Sequence, residues 1–211
     1  MTNSSKVIVD YYEDCLQKHG DSHQGVAWPK YEDTLKRYRV MLDCLNMAPG
    51  GLVGKQSLLD FGCGTAHLKE FMDQQKISNV DYSGLDISEN FVRISKQKFP
   101  ENVFYCMDVK NSSLGLPEFD FAVLNGTFTV KCELSFEEMW QHTQTTLGAI
   151  YPHVRRGLAV NFMSKHVDWE REDLFHLPFD TLTDFLRKNV SRNFVIRQDY
   201  GLFEFTAYIY R

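Results

Sequence analysis

The sequence lacks any apolar run approaching the roughly 20 residues that a membrane-spanning helix needs. Its first residues, Met1 to Lys6, lack the hydrophobic segment of an export signal. No membrane partner is expected, and the compartment expected is the cytoplasm. A basic excess is also missing: 23 Lys and Arg stand against 28 Asp and Glu, for a net charge of −5. There is no basic run, so a nucleic-acid partner is not favoured. Paired cysteines are absent too. The five, Cys15, Cys44, Cys63, Cys106 and Cys132, are scattered, odd in number and never spaced Cys-x-x-Cys. They read as reduced thiols rather than a disulfide frame or a zinc site, and no metal is expected. Internal repeats and low-complexity tracts are missing as well. What remains is a chain of 211 residues, 43 % hydrophobic, long enough for one domain with a real core and an additional segment, as a monomer or a homodimer.

The rest of the chain is organised around Ser57 to His67. Ser57 to Phe61 is a short apolar run holding one acid, Asp60, and reads as a buried strand. Gly62-Cys63-Gly64 forces a tight turn, since two glycines one residue apart admit backbone angles that a side chain forbids. From Thr65 the pattern becomes helical, with Leu68, Phe71 and Met72 on one face. Such a corner presents backbone N–H groups at a helix N-terminus, where a ligand can approach closely. A dinucleotide loop would read Gly-x-Gly-x-x-Gly, and His67 stands at the third glycine. Asp60 would repel a pyrophosphate but suits a ligand carrying positive charge.

Further acids and one amide follow at strand ends. The run Asn79 to Ile87 ends in Asp86, 22 positions after Gly64, close to the spacing of about 20 at which an acid grips a ribose. Ser88 can cap the helix Glu89–Phe99. Val103 to Asp108 is a third strand ending in an acid. Phe121 to Leu124 is a fourth, ended by Asn125-Gly126. In a parallel sheet the carboxyl ends of the strands carry the site, and these residues meet there. Ser135 and Glu138 form a capping box opening a helix that runs to about Val154. Gly157 to Met163 is a fifth strand, followed by His166, and Asp180–Asn189 is a further helix. Two β-rich runs, Asn193 to Tyr200 and Leu202 to Tyr210, read as an antiparallel hairpin around Gly201.

Residues 1–50 precede the first strand and read as a helical segment distinct from 51–211. Val7 to Leu16 has helical spacing, the polar stretch from His19 to Gly25 breaks it, and Trp28-Pro29 opens a second helix ended by Pro49-Gly50-Gly51. Most of these residues read as a layer covering sheet and core. His23, Trp28 and the basic group around Arg37 are the exceptions, placed to fold over a ligand as a lid that excludes water.

Asp60-x-Gly62-x-Gly64 resembles the first motif of the class I S-adenosylmethionine (SAM)-dependent methyltransferases. SAM carries a sulfonium and an ammonium. The resemblance implies a Rossmann-like α/β fold: a mostly parallel seven-stranded sheet with an antiparallel C-terminal hairpin and a helical N-terminal lid. It implies a cofactor set of Asp60, Gly62, Cys63, Gly64, Asp86, Ile87, Met107, Asp108, Val109 and Asn125. Asp108 or its neighbouring backbone would meet the adenine amine, and Arg37 is the candidate for the SAM carboxylate. Asn125-Gly-Thr-Phe128 is not the Asn-Pro-Pro-Tyr of the adenine and glutamine N-methyltransferases, which argues against a DNA amine. A closer resemblance reaches the whole chain. Gly25-Val-Ala-Trp28, Arg37-Tyr38, Asn125 to Lys131, Asn161-Phe-Met-Ser164 and Asp199-Tyr200 look like a bacterial group of small stand-alone methyltransferases. The tail of that group reads His-Asp-Tyr, where this chain has Gln198.

The expected reaction is transfer of a methyl group to an oxygen or nitrogen of a small metabolite, yielding S-adenosylhomocysteine (SAH). Candidates for a base are His23, His166 and Asp199, and candidates for the acceptor's walls are Trp28, Phe128 and Tyr200. The alternatives are a SAM-binding partner protein without catalysis, and an NAD(P)-dependent oxidoreductase. His67 and the terminal hairpin oppose the second.

Overall fold

A computed structural model describes residues 3–51, 54–111 and 115–211. Two helices come first, α1 (Asn3–His19) and α2 (Tyr31–Asn46). Strands and helices then alternate: β1 (Gln56–Phe61), α3 (His67–Gln74), β2 (Val80–Asp86), α4 (Glu89–Lys98), β3 (Val103–Cys106), β4 (Phe119–Leu124), α5 (Phe136–Ile150) and β5 (Val154–Ser164). The chain closes with β6 (His176–Leu177), α6 (Phe179–Asn189), β7 (Asn193–Arg197) and β8 (Glu204–Tyr210).

These strands form one sheet in the order β3-β2-β1-β4-β5-β8-β7, with β6 pairing β5 off that path. The first five strands of the order run parallel. The strand β8 runs antiparallel between β5 and β7. The seven-stranded sheet with a reversed terminal hairpin is therefore present, and the two-residue β6 makes an eighth strand. A strand that short has too little periodicity to be visible in a sequence.

Local chemistry sets the boundaries. The Ser88 hydroxyl accepts from Phe91 N to cap α4, and Ser135 and Glu138 form the full capping box of α5. The α5 helix stops at Ile150, earlier than the expected Val154, because Pro152 tightens the chain into a 3-10 turn over Tyr151–His153. Each face of the sheet is covered. On one, α2 buries Tyr38, Met41, Cys44 and Leu45 against Leu58, Phe121, Ala159, Tyr208 and Tyr210. On the other, Leu124, Leu147, Leu158, Phe162, Leu182 and Phe205 pack together, and Ile8 of α1 joins them. The two N-terminal helices thus do different things: α2 is a wall of the core, whereas α1 crosses the carboxyl ends of the strands.

Candidate active site

A cavity opens at the carboxyl ends of β1 to β4, roofed by Ser5, Ile8, Val9 and Tyr12 of α1. Its floor is the glycine turn. Both glycines are left-handed, at φ +71 for Gly62 and +55 for Gly64. A Cβ on Gly64 would come within 3.1 Å of Val26 Cγ1, so a side chain here would press on the cover. The turn's amides point inward. Gly62 N and Cys63 N both donate to Leu85 O, and Gly64 N donates to Asp86 Oδ2 at 2.9 Å. The three amides of the turn itself are therefore committed within the fold, which weighs against a pyrophosphate held by them.

Two buried acids face the cavity instead. Asp60 Oδ2 accepts from the Tyr82 hydroxyl at 2.7 Å. Burial pushes the Asp60 carboxyl up to about 7; the Tyr82 bond opposes this and the charge of Asp86 adds to it. Asp86 accepts from Gly64 N through Oδ2 and from Ser88 N through Oδ1, both at 2.9 Å. Burial raises it to about 6 despite those bonds. Ile87, Met107, Asp108 and Val109 continue the wall. Asp108 is partly committed, accepting from Lys110 N and from Asn111 Nδ2.

The far end holds groups that the sequence did not point to. Lys110 Nζ contacts Ser5 Oγ and lies 2.9 Å from His142 Nδ1. Burial and the Lys110 charge bring His142 down to about 4. Along with Thr146, His142 reaches the cavity from α5, one helical turn apart. That spacing was the available signal, but it is shared with every helix face.

Asn125, Gly126 and Thr127 line the cavity together with Trp28 and Tyr12. Gly126 N donates to Asn161 Oδ1 at 2.7 Å, and Gly126 O accepts from the Tyr12 hydroxyl at 3.1 Å. The Trp28 ring edge lies 2.5 Å from where a Gly126 Cβ would stand, so only glycine fits under it. Arg37 stacks on that ring, its Cζ 4.0 Å from the centroid.

Besides the Tyr12 and Ser5 contacts, two acids tie the cover down. Asp21, in the α1–α2 connection, lies 2.7 Å from His67 Nε2 and 2.8 Å from Lys98 Nζ. Glu13 Oε1 accepts from Ser88 Oγ at 2.6 Å, beside the Asp86 loop.

Ten of the seventeen residues singled out from the sequence line this cavity: Trp28, Asp60, Gly62, Gly64, Asp86, Ile87, Met107, Asp108, Val109 and Asn125. The structure places the others elsewhere. The Cys63 thiol is buried beneath the turn, where burial holds it well above its ordinary range. Phe128 stacks on Phe162 in the core, and the Tyr200 hydroxyl is bonded to Thr206 Oγ1. Arg37 is paired with Glu204, at 2.8 Å from Nε to Oε1, rather than free at the cavity wall. Of the candidate bases, His23 packs on Tyr31 and the exposed His166 on Phe179. Asp199 is exposed and bound to Arg197. A strand end on β5 or in the β7–β8 connection is thus near the site in topology without its side chain reaching it. Among the described residues no group of three His, Cys, Asp or Glu is placed to hold a metal ion, and no helix is long and apolar enough to cross a membrane.

The comparisons agree with this geometry. Residues 58–148 match the family model described as a methyltransferase domain. Rv1506c of Mycobacterium tuberculosis, a provisionally named methyltransferase, is 28 % identical over 158 residues, which are 72 % of this chain and 92 % of that protein. Magnesium protoporphyrin IX methyltransferase from Synechocystis, solved with SAM bound, superposes with a TM-score of 0.65 at 14 % identity. The match covers 100 % of this chain and 98 % of that one. CalS10, an amino pentose methyltransferase from Micromonospora echinaspora, gives a TM-score of 0.57 at 13 % identity, covering 94 % and 96 %.

Proposed function

We propose that the chain is a SAM-dependent methyltransferase of the class I type, as the matched methyltransferase domain and the shared fold support, and that it methylates an oxygen or nitrogen atom of a small molecule. The observation that carries the acceptor's size is the cover: α1 and the segment carrying Val26 and Trp28 form part of the cavity wall. A cavity walled on that side suits a compact molecule better than a polymer.

The residues present suit SAM. The glycine turn leaves room that a Cβ would fill, and the two buried acids would be relieved by a cation. In this reading Asp60 faces the ammonium, Asp86 takes the ribose hydroxyls with its remaining lone pairs, and Met107, Asp108 and Val109 border the adenine. Asn125, Gly126 and Trp28 border the methyl group. SAM supplies an electrophilic methyl carbon whose bond to sulfur breaks as the bond to the acceptor forms. The protein's share is alignment, which can be worth about 7–11 kcal/mol. His142, held by Lys110 and shifted down to about 4, would be neutral at pH 7. Residues 1–50 would act as a cover through α1 and the connection to α2, with α2 itself fixed in the core.

The test is a screen of small hydroxy and amino compounds with methyl-labelled SAM, run beside tRNA and DNA. Label entering a small molecule is expected. Faster label transfer to nucleic acid would overturn the small-molecule acceptor, and SAM binding without turnover on any class would favour a non-catalytic binder.

A further inference from the structure

Among the described residues, six buried side-chain atoms have no hydrogen-bond partner: Nε and Nη1 of Arg37, Oδ1 of Asn125, Nδ2 of Asn161 and both carboxylate oxygens of Glu204. They belong to one neighbourhood. Asn161 and Glu204 lie on adjoining strands, Asn161 opposite Thr206 and Glu204 two residues before it. Neighbours two apart on a strand share a face. Arg37 Nε and Glu204 Oε1 form an ion pair at 2.8 Å, and Asn161 also bears on the Glu204 carboxylate, which leaves Arg37 Nη1 and Asn125 Oδ1 as the least satisfied of the six. Asn161 reaches the other way, accepting the Gly126 amide next to Asn125. Trp28 lies across the opening, its edge on Gly126 and one face against Arg37, and it also lines the cavity.

Buried polar groups are almost always satisfied, because stranding one costs its full desolvation. Glu204 is 1 % exposed, Asn161 0 % and Arg37 9 %, so direct solvation does not relieve them. Of these residues Asn125 lines the cavity, and Trp28, which lines it too, stacks on Arg37.

We propose that this cluster is the acceptor's chamber, that Trp28 is its movable wall, and that the acceptor is a small carboxylic acid. Its carboxylate takes Arg37 Nη1 and Asn161 Nδ2, and its O–H or N–H nucleophile donates to Asn125 Oδ1. A planar guanidinium beside an amide donor is chemistry matched to a carboxylate. Glu204 balances and orients the guanidinium. In the transfer the nucleophile's lone pair forms the new bond to the methyl carbon. The C–S electrons stay on sulfur as SAH, and the nucleophile's proton leaves to water. The proposal rests on the methyltransferase reading and names its acceptor class.

The test uses the full-length protein saturated with SAH and three matched probe pairs: glycine, 4-aminobenzoate and 3-hydroxybenzoate, each against its primary amide. Calorimetry should show at least one acid binding ten times more tightly than its amide, and Arg37→Met should erase that preference while SAH affinity stays within twofold. If Arg37→Met fails to fold because Glu204 is left alone, the double variant Arg37→Met with Glu204→Met removes both charges and gives the same reading. Equal or absent binding of acids and amides to a protein that holds SAH would overturn the proposal. So would a tenfold loss of SAH affinity in Arg37→Met, which would return the guanidinium to the cofactor. A protein that binds no SAH at all would instead sink the cofactor assignment on which the proposal stands.

Discussion

Replacing Asp86 by alanine separates the cofactor role of this carboxylate from its structural one. A carboxylate has about four lone-pair sites, and two are used here, by Gly64 N and Ser88 N at 2.9 Å each. The remaining two are what a ribose diol would take. Hydrogen bonds to a charged group contribute roughly 1.5–3 kcal/mol each. Loss of two therefore amounts to about 3–6 kcal/mol of SAH binding before any water repairs the gap, and at 1.4 kcal/mol per decade even a half-repaired site loses more than tenfold in Kd. The fold feels the change differently. Two buried amides lose their acceptor, at about 1–3 kcal/mol each, while a carboxyl that burial had pushed up to about 6 is removed, and these oppose each other. The expected result is SAH affinity reduced at least tenfold by calorimetry, with a smaller change in the denaturant midpoint. Asp86→Asn is the control, since it keeps one acceptor in place and should fall between the two. Unchanged SAH affinity in a folded Asp86→Ala protein would refute the ribose role and leave Asp86 as a turn and helix-entry residue.

Three further outcomes follow from the same geometry. Because the Asp60 carboxyl sits at about 7 and a cation favours its ionised form, SAM affinity should weaken as pH falls from 8 to 6, with proton release on binding detectable in buffers of different ionisation heat; a flat profile would remove Asp60 from the ammonium. The same raised values carry a stability sign: Asp60 and Asp86 hold protons in the folded protein that they release when unfolded, so their contribution is full below about pH 4 and is lost as pH rises through 6 to 7. Thermal unfolding of the ligand-free protein should show that loss, and added SAH should blunt it. Asp21→Asn and Glu13→Ala each weaken the hold of one acid on the body; both should raise the SAH dissociation rate several-fold and amide exchange across residues 20–28 and α1 respectively, and unaltered rates would show that these two acids do not hold the cover closed.

What could be read from the sequence is what depends on neighbours along the chain. The β1 strand, the left-handed glycines, the caps at Ser88 and Ser135 and the reversed terminal hairpin all rest on residues within a few positions of one another, and each stands in the structure. Asp60, Asp86, Asp108 and Asn125 belong to the same class, because a parallel sheet brings its strand ends together whatever covers it. Some residues that stand away from the cavity have their partner far away in sequence. Arg37 and Glu204 are 167 positions apart yet 2.8 Å apart in space, and no local pattern links them. His142 and Thr146 reach the cavity only because α5 packs beneath α1. His166 and Asp199 lie after strand ends and His23 between the two N-terminal helices, but side-chain direction is set by the local connection. The β7–β8 turn binds Asp199 to Arg197 rather than aiming it inward.

The division of the N-terminal segment follows from the same physics. The second helix buries eight of its residues, so moving it would open a core. The first helix joins the main core through Val7, Ile8 and Tyr12 and is also tied by polar contacts to Ser88, Gly126 and Lys110. With far fewer residues in the core than α2, α1 and the connection carrying Asp21 and Trp28 are the part that can open with the rest of the fold intact. In the proposed reading, entry of a cofactor beneath α1 and of an acceptor past Trp28 would involve one continuous stretch of chain, residues 3–28. Closure over the first ligand would therefore set the position of the wall that meets the second.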